Sequence, residues 1–230
     1  MFRGRVWRMP RGAGAGSALG AGSGSGSAFG SGSGSGMAAE KRMYLTFDDG
    51  PHPVVTPWVL DELGKWGAKA TFFCIGKNVA AHPQIYRRIL MEGHRVGNHT
   101  QDHLNGWKVD DKRYLESVVE AGKRIDSELF RPPYGRIGAL QSSVLRSAPF
   151  YYSIIMWDVL SGDFDRSLTG ERCARNVIRY GRPGSIVVFH DSEKAFERLT
   201  VALPEVLKKF SAEGYRFEGI FSQKGRSGVV

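Results

Sequence analysis

What this 230-residue chain lacks narrows its reading before any motif does. It has only two cysteines, Cys74 and Cys173, each in an apolar or helical stretch. No disulfide framework is therefore expected, and both read as reduced packing residues. There is no apolar run long enough to cross a bilayer. No apolar core of roughly 7–15 residues follows the positive start, as a secretory signal would require. A dense basic stripe with interleaved aromatics is missing too. The net charge of +9 invites a nucleic-acid partner, but Arg3, Arg5, Arg8 and Arg11 supply four of those charges from residues 1–39, a segment without an acid. The other five are spread over 191 residues in which both signs are interspersed. Nucleic acid is not the expected partner.

What is present is a chain that is 41% apolar, enough for one sizeable core. Residues 12–36 are almost entirely Gly, Ser and Ala, a composition that cannot bury enough apolar surface to fold. The expected organisation is a Gly/Ser-rich segment over 1–39, a folded domain over 40–222 and a short tail over 223–230. Phe2 to Pro10 has enough apolar character to dock on the domain, which would make the Gly/Ser stretch a tether. An artificial linker, or a start at Met37, explains it equally well. With no export signal visible, the default location is cytoplasmic, the cell envelope being the alternative if the chain starts elsewhere.

From Lys41 onward, short β-rich runs alternate with amphipathic ones. The expected strands are Met43–Phe47, Ala70–Ile75, Arg95–Asn98, a short one at Phe130, Tyr151–Trp157, Ser185–Phe189 and Tyr215–Gly219. Helical faces are formed by Val59, Leu60, Leu63 and Trp66; by Leu115, Val118, Val119, Gly122, Ile125 and Leu129; and by Leu199, Ala202, Leu203, Val206, Leu207 and Phe210. Repeated strand–helix units imply a parallel sheet, open or closed as a barrel. Chemically capable residues recur where the strands end: Asp48-Asp49, His99, Arg131-Pro132-Pro133-Tyr134-Gly135, Asp158 and Asp163, and His190-Asp191. In an α/β barrel those ends form one rim, which carries the active site.

Two imidazoles, His99 and His103, with one carboxylate of the Asp48-Asp49 pair would make a three-ligand metal site with open positions. The second carboxylate would be free as a base. Each motif also has a plain structural reading. Asp-Asp-Gly-Pro is a good turn, His-x3-His puts two rings on one face of any helix, Arg-Pro-Pro-Tyr-Gly makes a rigid loop, and His190-Asp191 can cap a strand end. Their joint occurrence, in order, at successive strand ends favours a metal-assisted hydrolase.

Thr46-Phe47-Asp48-Asp49-Gly50, His99-Thr100-Gln101-Asp102-His103 and Arg131-Pro132-Pro133-Tyr134, with the flanking Ala70-Thr71-Phe72-Phe73 and Gly93-His94-Arg95-Val96-Gly97-Asn98, resemble the polysaccharide deacetylase family. This family is also called the NodB-homology domain or carbohydrate esterase family 4. The resemblance covers Arg42 to Phe217. It implies a distorted TIM-like barrel of about seven strand–helix units. It also implies a hydrolase that removes N-acetyl groups from N-acetylhexosamine glycans such as peptidoglycan or chitooligosaccharides. By the same resemblance Asp49, His99 and His103 would hold one divalent metal, with Asp48 the general base for a metal-bound water. The backbone N–H of Tyr134 would meet the oxyanion, Arg131 would keep Asp48 ionised, and His190 would be the general acid, tuned by Asp163.

Two departures from the family pattern bear on substrate preference. The fourth motif is stretched to Asp158-Val159-Leu160-Ser161-Gly162-Asp163-Phe164, which leaves open whether Asp163 or Asp158 tunes His190 and puts Phe164 where the family has Trp. The fifth reads Val188-Phe189-His190, with Val188 as a smaller wall for the acetyl methyl. The alternatives are an O-acetyl esterase acting on xylan and a carbohydrate-binding domain whose site has decayed. Zinc is the expected metal, cobalt, nickel and manganese being the other ions this donor set accepts. The resemblance implies an acetylated glycan as the partner, and a monomer is expected.

Overall fold

The computed structural model describes residues 40–221, so the expected N-terminal segment 1–39 and tail 223–230 lie outside the described residues. The order of elements is β1 (Lys41–Asp48), α1 (Val55–Gly64), β2 (Thr71–Cys74), α2 (Gly76–Ala81), α3 (Pro83–Met91), β3 (Arg95–Asn98), α4 (Asp111–Gly122), β4 (Leu129–Phe130), α5 (Ala139–Arg146), β5 (Ser153–Ile154), β6 (Val159–Leu160), α6 (Gly170–Tyr180), β7 (Ile186–His190), α7 (Glu193–Ala212) and β8 (Tyr215–Phe217). Every pairing is parallel. Seven strands run β5-β4-β3-β2-β1-β7-β6, and β8 lies beside the first residues of β1. The end strands β5 and β6 do not pair with each other, so the curled sheet stays open. The parallel sheet expected from the strand–helix alternation forms, in the distorted barrel shape that the family resemblance implied.

The central strand shows why. From Met43 to Asp48 every residue of β1 is buried, the mark of a parallel strand covered on both faces. Its alternate residues Met43, Leu45 and Phe47 join the main core with helix residues such as Leu60, Val177 and Leu203. Tyr44, facing the other way, packs with Phe73, Leu129, Ile155, Ile186 and Ile220 in a second cluster. Each fully buried side chain of this size stabilises the fold by about 1.5–3 kcal/mol. Cys74 and Cys173 are both free and buried, as expected of packing residues.

Several boundaries differ from expectation. The run at Tyr151–Trp157 contracts to β5, and a two-residue strand, β6, follows it where none was expected. Tyr215–Gly219 shortens to β8. Trp66 lies beyond the end of α1 and is exposed, as is Val119 on α4, so each extends its apparent apolar face onto the surface. Helices α2, α3, α5 and α6 carry no expected helical face. The buried side of α6 is Gly170, Cys173, Ala174 and Val177, an apolar face at helical spacing among charged residues. Among the described residues, no helix is long and apolar enough to cross a membrane.

Candidate active site

Asp48 continues the inward face of β1, where strand alternation also places Thr46, and both are buried. The same alternation would send Asp49 the other way. Its φ of +84° instead turns the chain, and both carboxylates line one cleft of about 740 Å³. A left-handed φ is uncommon for any residue with a Cβ, although Asp is among those that tolerate it best.

One oxygen of Asp48, Oδ1, accepts a hydrogen bond from Arg131 Nη1 at 2.7 Å. Arg131 is wholly buried, and it also donates to Thr46 Oγ1 at 2.7 Å and to the carbonyls of Ile155 at 3.1 Å and Met156 at 3.4 Å. Its guanidinium sits 4.0 Å from the centre of the Phe73 ring. Burial lowers the Arg131 pKa and the Asp48 carboxylate opposes that, so the pair meets the requirement that a buried charge be partnered and hydrogen-bonded.

His99 and His103 do not lie on a helix, as the four-residue spacing allowed; they stand in a loop. Thr100 and His103 have φ of +65° and +58°, and the loop is held by Asn98 Oδ1 accepting from the Thr100 N–H at 2.8 Å. The centres of the two rings are 5.1 Å apart. His99 Nδ1 lies 2.8 Å from the Arg131 carbonyl, an acceptor only, so Nδ1 carries the proton and the lone pair is on Nε2. Burial drops the His99 pKa to about 4, so the ring is neutral.

Asp49 Oδ1 is 3.8 Å from His99 Nε2 and 3.1 Å from His103 Nε2. It is buried, and neither approach has hydrogen-bond geometry. Burial raises the Asp49 pKa, but the neighbouring His103, His190 and His99 outweigh it and hold the group well below the usual carboxylate range. An orphaned buried carboxylate oxygen facing two imidazole nitrogens, with all three ligand atoms inside 4.8 Å, fits a divalent metal.

Across the cleft, His190 Nδ1 is 2.8 Å from Asp163 Oδ1, and the His190 backbone N–H donates to Asp163 Oδ2 at 2.8 Å. Burial alone would lower the His190 pKa, but the Asp163 carboxylate reverses this and lifts it to about 9. Asp158 is elsewhere: it is exposed, and its Oδ2 accepts from the Ile186 N–H at 3.0 Å. Of the two aspartates left open by the sequence, Asp163 is the one against His190. Phe164 meets the His190 ring edge-on at 5.3 Å between centres, and Val188 lines the same cleft.

Tyr134 adopts φ +59° in the turn Pro133–Gly135, and its exposed ring packs on His103 with the hydroxyl 3.2 Å from Nδ1. Sequence reasoning assigned only its backbone and missed this side-chain contact. It also missed Trp107, Trp157 and Leu160 as walls of the cleft. Trp107 and Trp157 stand in loops and Leu160 in a strand of two residues, settings with no periodic signal to mark them.

The chain matches the polysaccharide deacetylase family over residues 35–153. It is 35% identical over 185 residues to a peptidoglycan-N-acetylglucosamine deacetylase of Bacillus cereus, a span of 77% of this chain and 85% of that protein. It is 36% identical over 162 residues to a chitooligosaccharide deacetylase of a Bradyrhizobium species, covering 67% and 73% of the two chains. Its fold is similar to that of the peptidoglycan deacetylase PdaC from Bacillus subtilis, with a TM-score of 0.71 at 29% identity over 79% of this chain and 88% of that one.

Proposed function

The chain belongs to the polysaccharide deacetylase family, and from that premise we propose that it hydrolyses the N-acetyl groups of N-acetylglucosamine-containing glycans. The observation that carries the reading is the convergence, in one cleft, of the Asp49–His99–His103 donor set, the Arg131-held Asp48 and the Asp163-backed His190.

Asp49, His99 and His103 would hold one divalent metal, and zinc is an ion that this donor set binds strongly. When bound, it supplies Lewis acidity, polarising the acetyl carbonyl and acidifying water. Asp48 is the base. Arg131 occupies Oδ1, and Oδ2 takes the proton from the attacking water. The backbone N–H of Tyr134, turned by its left-handed conformation, donates to the carbonyl oxygen as negative charge gathers there. His190 is the acid. Its Nδ1 is committed to Asp163, so the proton for the departing amine leaves from Nε2, and a pKa of about 9 keeps that proton in place at neutral pH. Val188 and Trp157 bound the space for the acetyl methyl, and Phe164 and Trp107 offer faces for sugar rings.

The test is to incubate the zinc-loaded protein with N-acetylglucosamine oligomers and with acetylxylan and to measure released acetate. Acetate from the oligomers is expected. None from any acetylated glycan, with zinc, cobalt, nickel or manganese supplied, refutes the reading. Release from acetylxylan alone assigns the cleft to O-acetyl esters instead.

A further inference from the structure

The end of β1 and the turn after it, which carry the two aspartates, are gripped from two sides by residues outside the reacting set. The Asp49–Gly50 peptide unit has its carbonyl oxygen bound by Asn78 Nδ2 at 2.7 Å and its N–H bound by Asp191 Oδ1 at 2.9 Å. Asn78 belongs to α2 and Asp191 follows β7, so the two grips come from opposite neighbours of β1 in the sheet order. Asp191 is fully buried and anchored in turn: its Oδ2 accepts from Thr56 Oγ1 at 2.6 Å, and its own N–H donates to the Asp48 carbonyl at 3.1 Å. The Gly50 carbonyl accepts from the Ile75 N–H at 2.9 Å.

The same contacts account for Gly50. A methyl group on it would fall 1.9 Å from Asp191 Oδ2, so the carboxylate occupies the space where any side chain would begin. The peptide held in this way immediately follows a residue at φ +84°, a conformation that persists only where the surroundings impose it.

We propose that Asn78 and Asp191 are positioning residues that clamp the Asp49–Gly50 peptide, and so fix the Asp49 carboxylate at the distance from His99 and His103 that metal binding requires. This rests on the assignment of Asp49 as a ligand made above. Neither residue belongs to the donor set or lines the cleft. Their effect is on affinity, because a ligand free to swing away must be brought back each time the ion binds. Partners of ligand groups in metal sites are typically worth about 10- to 100-fold in metal affinity.

The test uses the full chain, stripped of metal by a chelator and titrated with zinc against a chromogenic competitor, with circular dichroism confirming the fold at the assay temperature. Asn78→Ala is expected to weaken zinc binding by about 10-fold or more. Asp191→Ala is expected to do the same, while Asp191→Asn, which keeps an oxygen for the Gly50 N–H, should remain within about threefold of wild type. A merely structural role would lower the melting temperature of the metal-free protein and leave the zinc affinity of the folded protein unmoved. If Asp191→Ala fails to fold, Asn78→Ala and Asp191→Asn still decide the matter. Folded Asn78→Ala binding zinc as tightly as wild type overturns the proposal, as does Asp191→Asn weakening it as much as Asp191→Ala. Acetate release is recorded separately: wild-type protein that binds zinc but releases no acetate would refute the deacetylase reading, while the zinc titration still judges the clamp.

Discussion

Replacing Asp163 with Asn tests the acid half of the mechanism. The carboxylate is fully buried 2.8 Å from His190 Nδ1, and the imidazole is lifted from 6.5 to about 9 against the pull of burial. That lift corresponds to about 3 kcal/mol in favour of the charged ring. Because the folded value lies above the ordinary one, the pair stabilises the fold fully below pH 6.5 and loses that contribution as pH rises through about 9. Asn is nearly isosteric but uncharged, so His190 should fall toward its ordinary 6.5, burial then being opposed only by the Asp48 and Asp49 carboxylates. If it falls to about 6.5, the protonated fraction at pH 8.5 drops by roughly 50- to 100-fold, yet at pH 6 by less than about twofold. The assay is kcat/KM for acetate release from a chitooligosaccharide between pH 5.5 and 10, with zinc saturating. The basic limb should move down by two units or more, and an activated aryl acetate, whose leaving group needs no proton, should lose far less. An equal loss at pH 6 and pH 8.5, or a basic limb that stays near 9, would refute the assignment of His190 as acid and Asp163 as its tuner.

The division of labour between the adjacent aspartates gives a second prediction: Asp49→Ala and His103→Ala should purify with little metal, whereas Asp48→Asn should keep it and lose turnover. Elemental analysis checks this, and equal metal loss in all three variants would refute the split. A third concerns stability in acid. His94 is buried, its Nδ1 accepts from the Ala70 N–H at 3.1 Å, and burial, with Lys69 nearby, drops its pKa to about 4. The unfolded chain therefore takes up the proton first, and stability should fall by up to about 3 kcal/mol as pH drops from 6.5 toward 4. His94→Gln, which keeps an acceptor for Ala70, should flatten that slope in urea melts of the metal-free protein at pH 7 and pH 4.5. Parallel slopes in the two proteins would rule His94 out as the cause.

Much of this site is legible in the chain because its chemistry is packed into short contiguous motifs. Thr46 to Gly50 reads as a buried strand running into a turn with two carboxylates, and that is how it folds. Other parts were illegible for reasons that can be named. Strand β6 is two residues long and exists because β7 pairs with it, a length at which no periodicity can be read. His99 and His103 meet through positive φ at Thr100 and His103, which residue spacing does not encode. Asp158 and Asp163 are equivalent as letters in a stretched motif, and the fold separates them: one caps the entry to β7, the other lies against His190.

The sequence by itself determined which chemical groups are available, that they sit at strand ends, and that strand–helix alternation would gather those ends at one rim. Local propensity and hydrophobic pattern act over a few residues, and the motifs lie within that range. Only the tertiary structure decided the partnerships across it. Arg131 reaches Asp48 over 83 positions of chain and Asp191 reaches Gly50 over 141. Hydrogen bonds of this kind depend on angstrom-scale placement of strands packed side by side, and that placement comes from the core as a whole rather than from any stretch of residues.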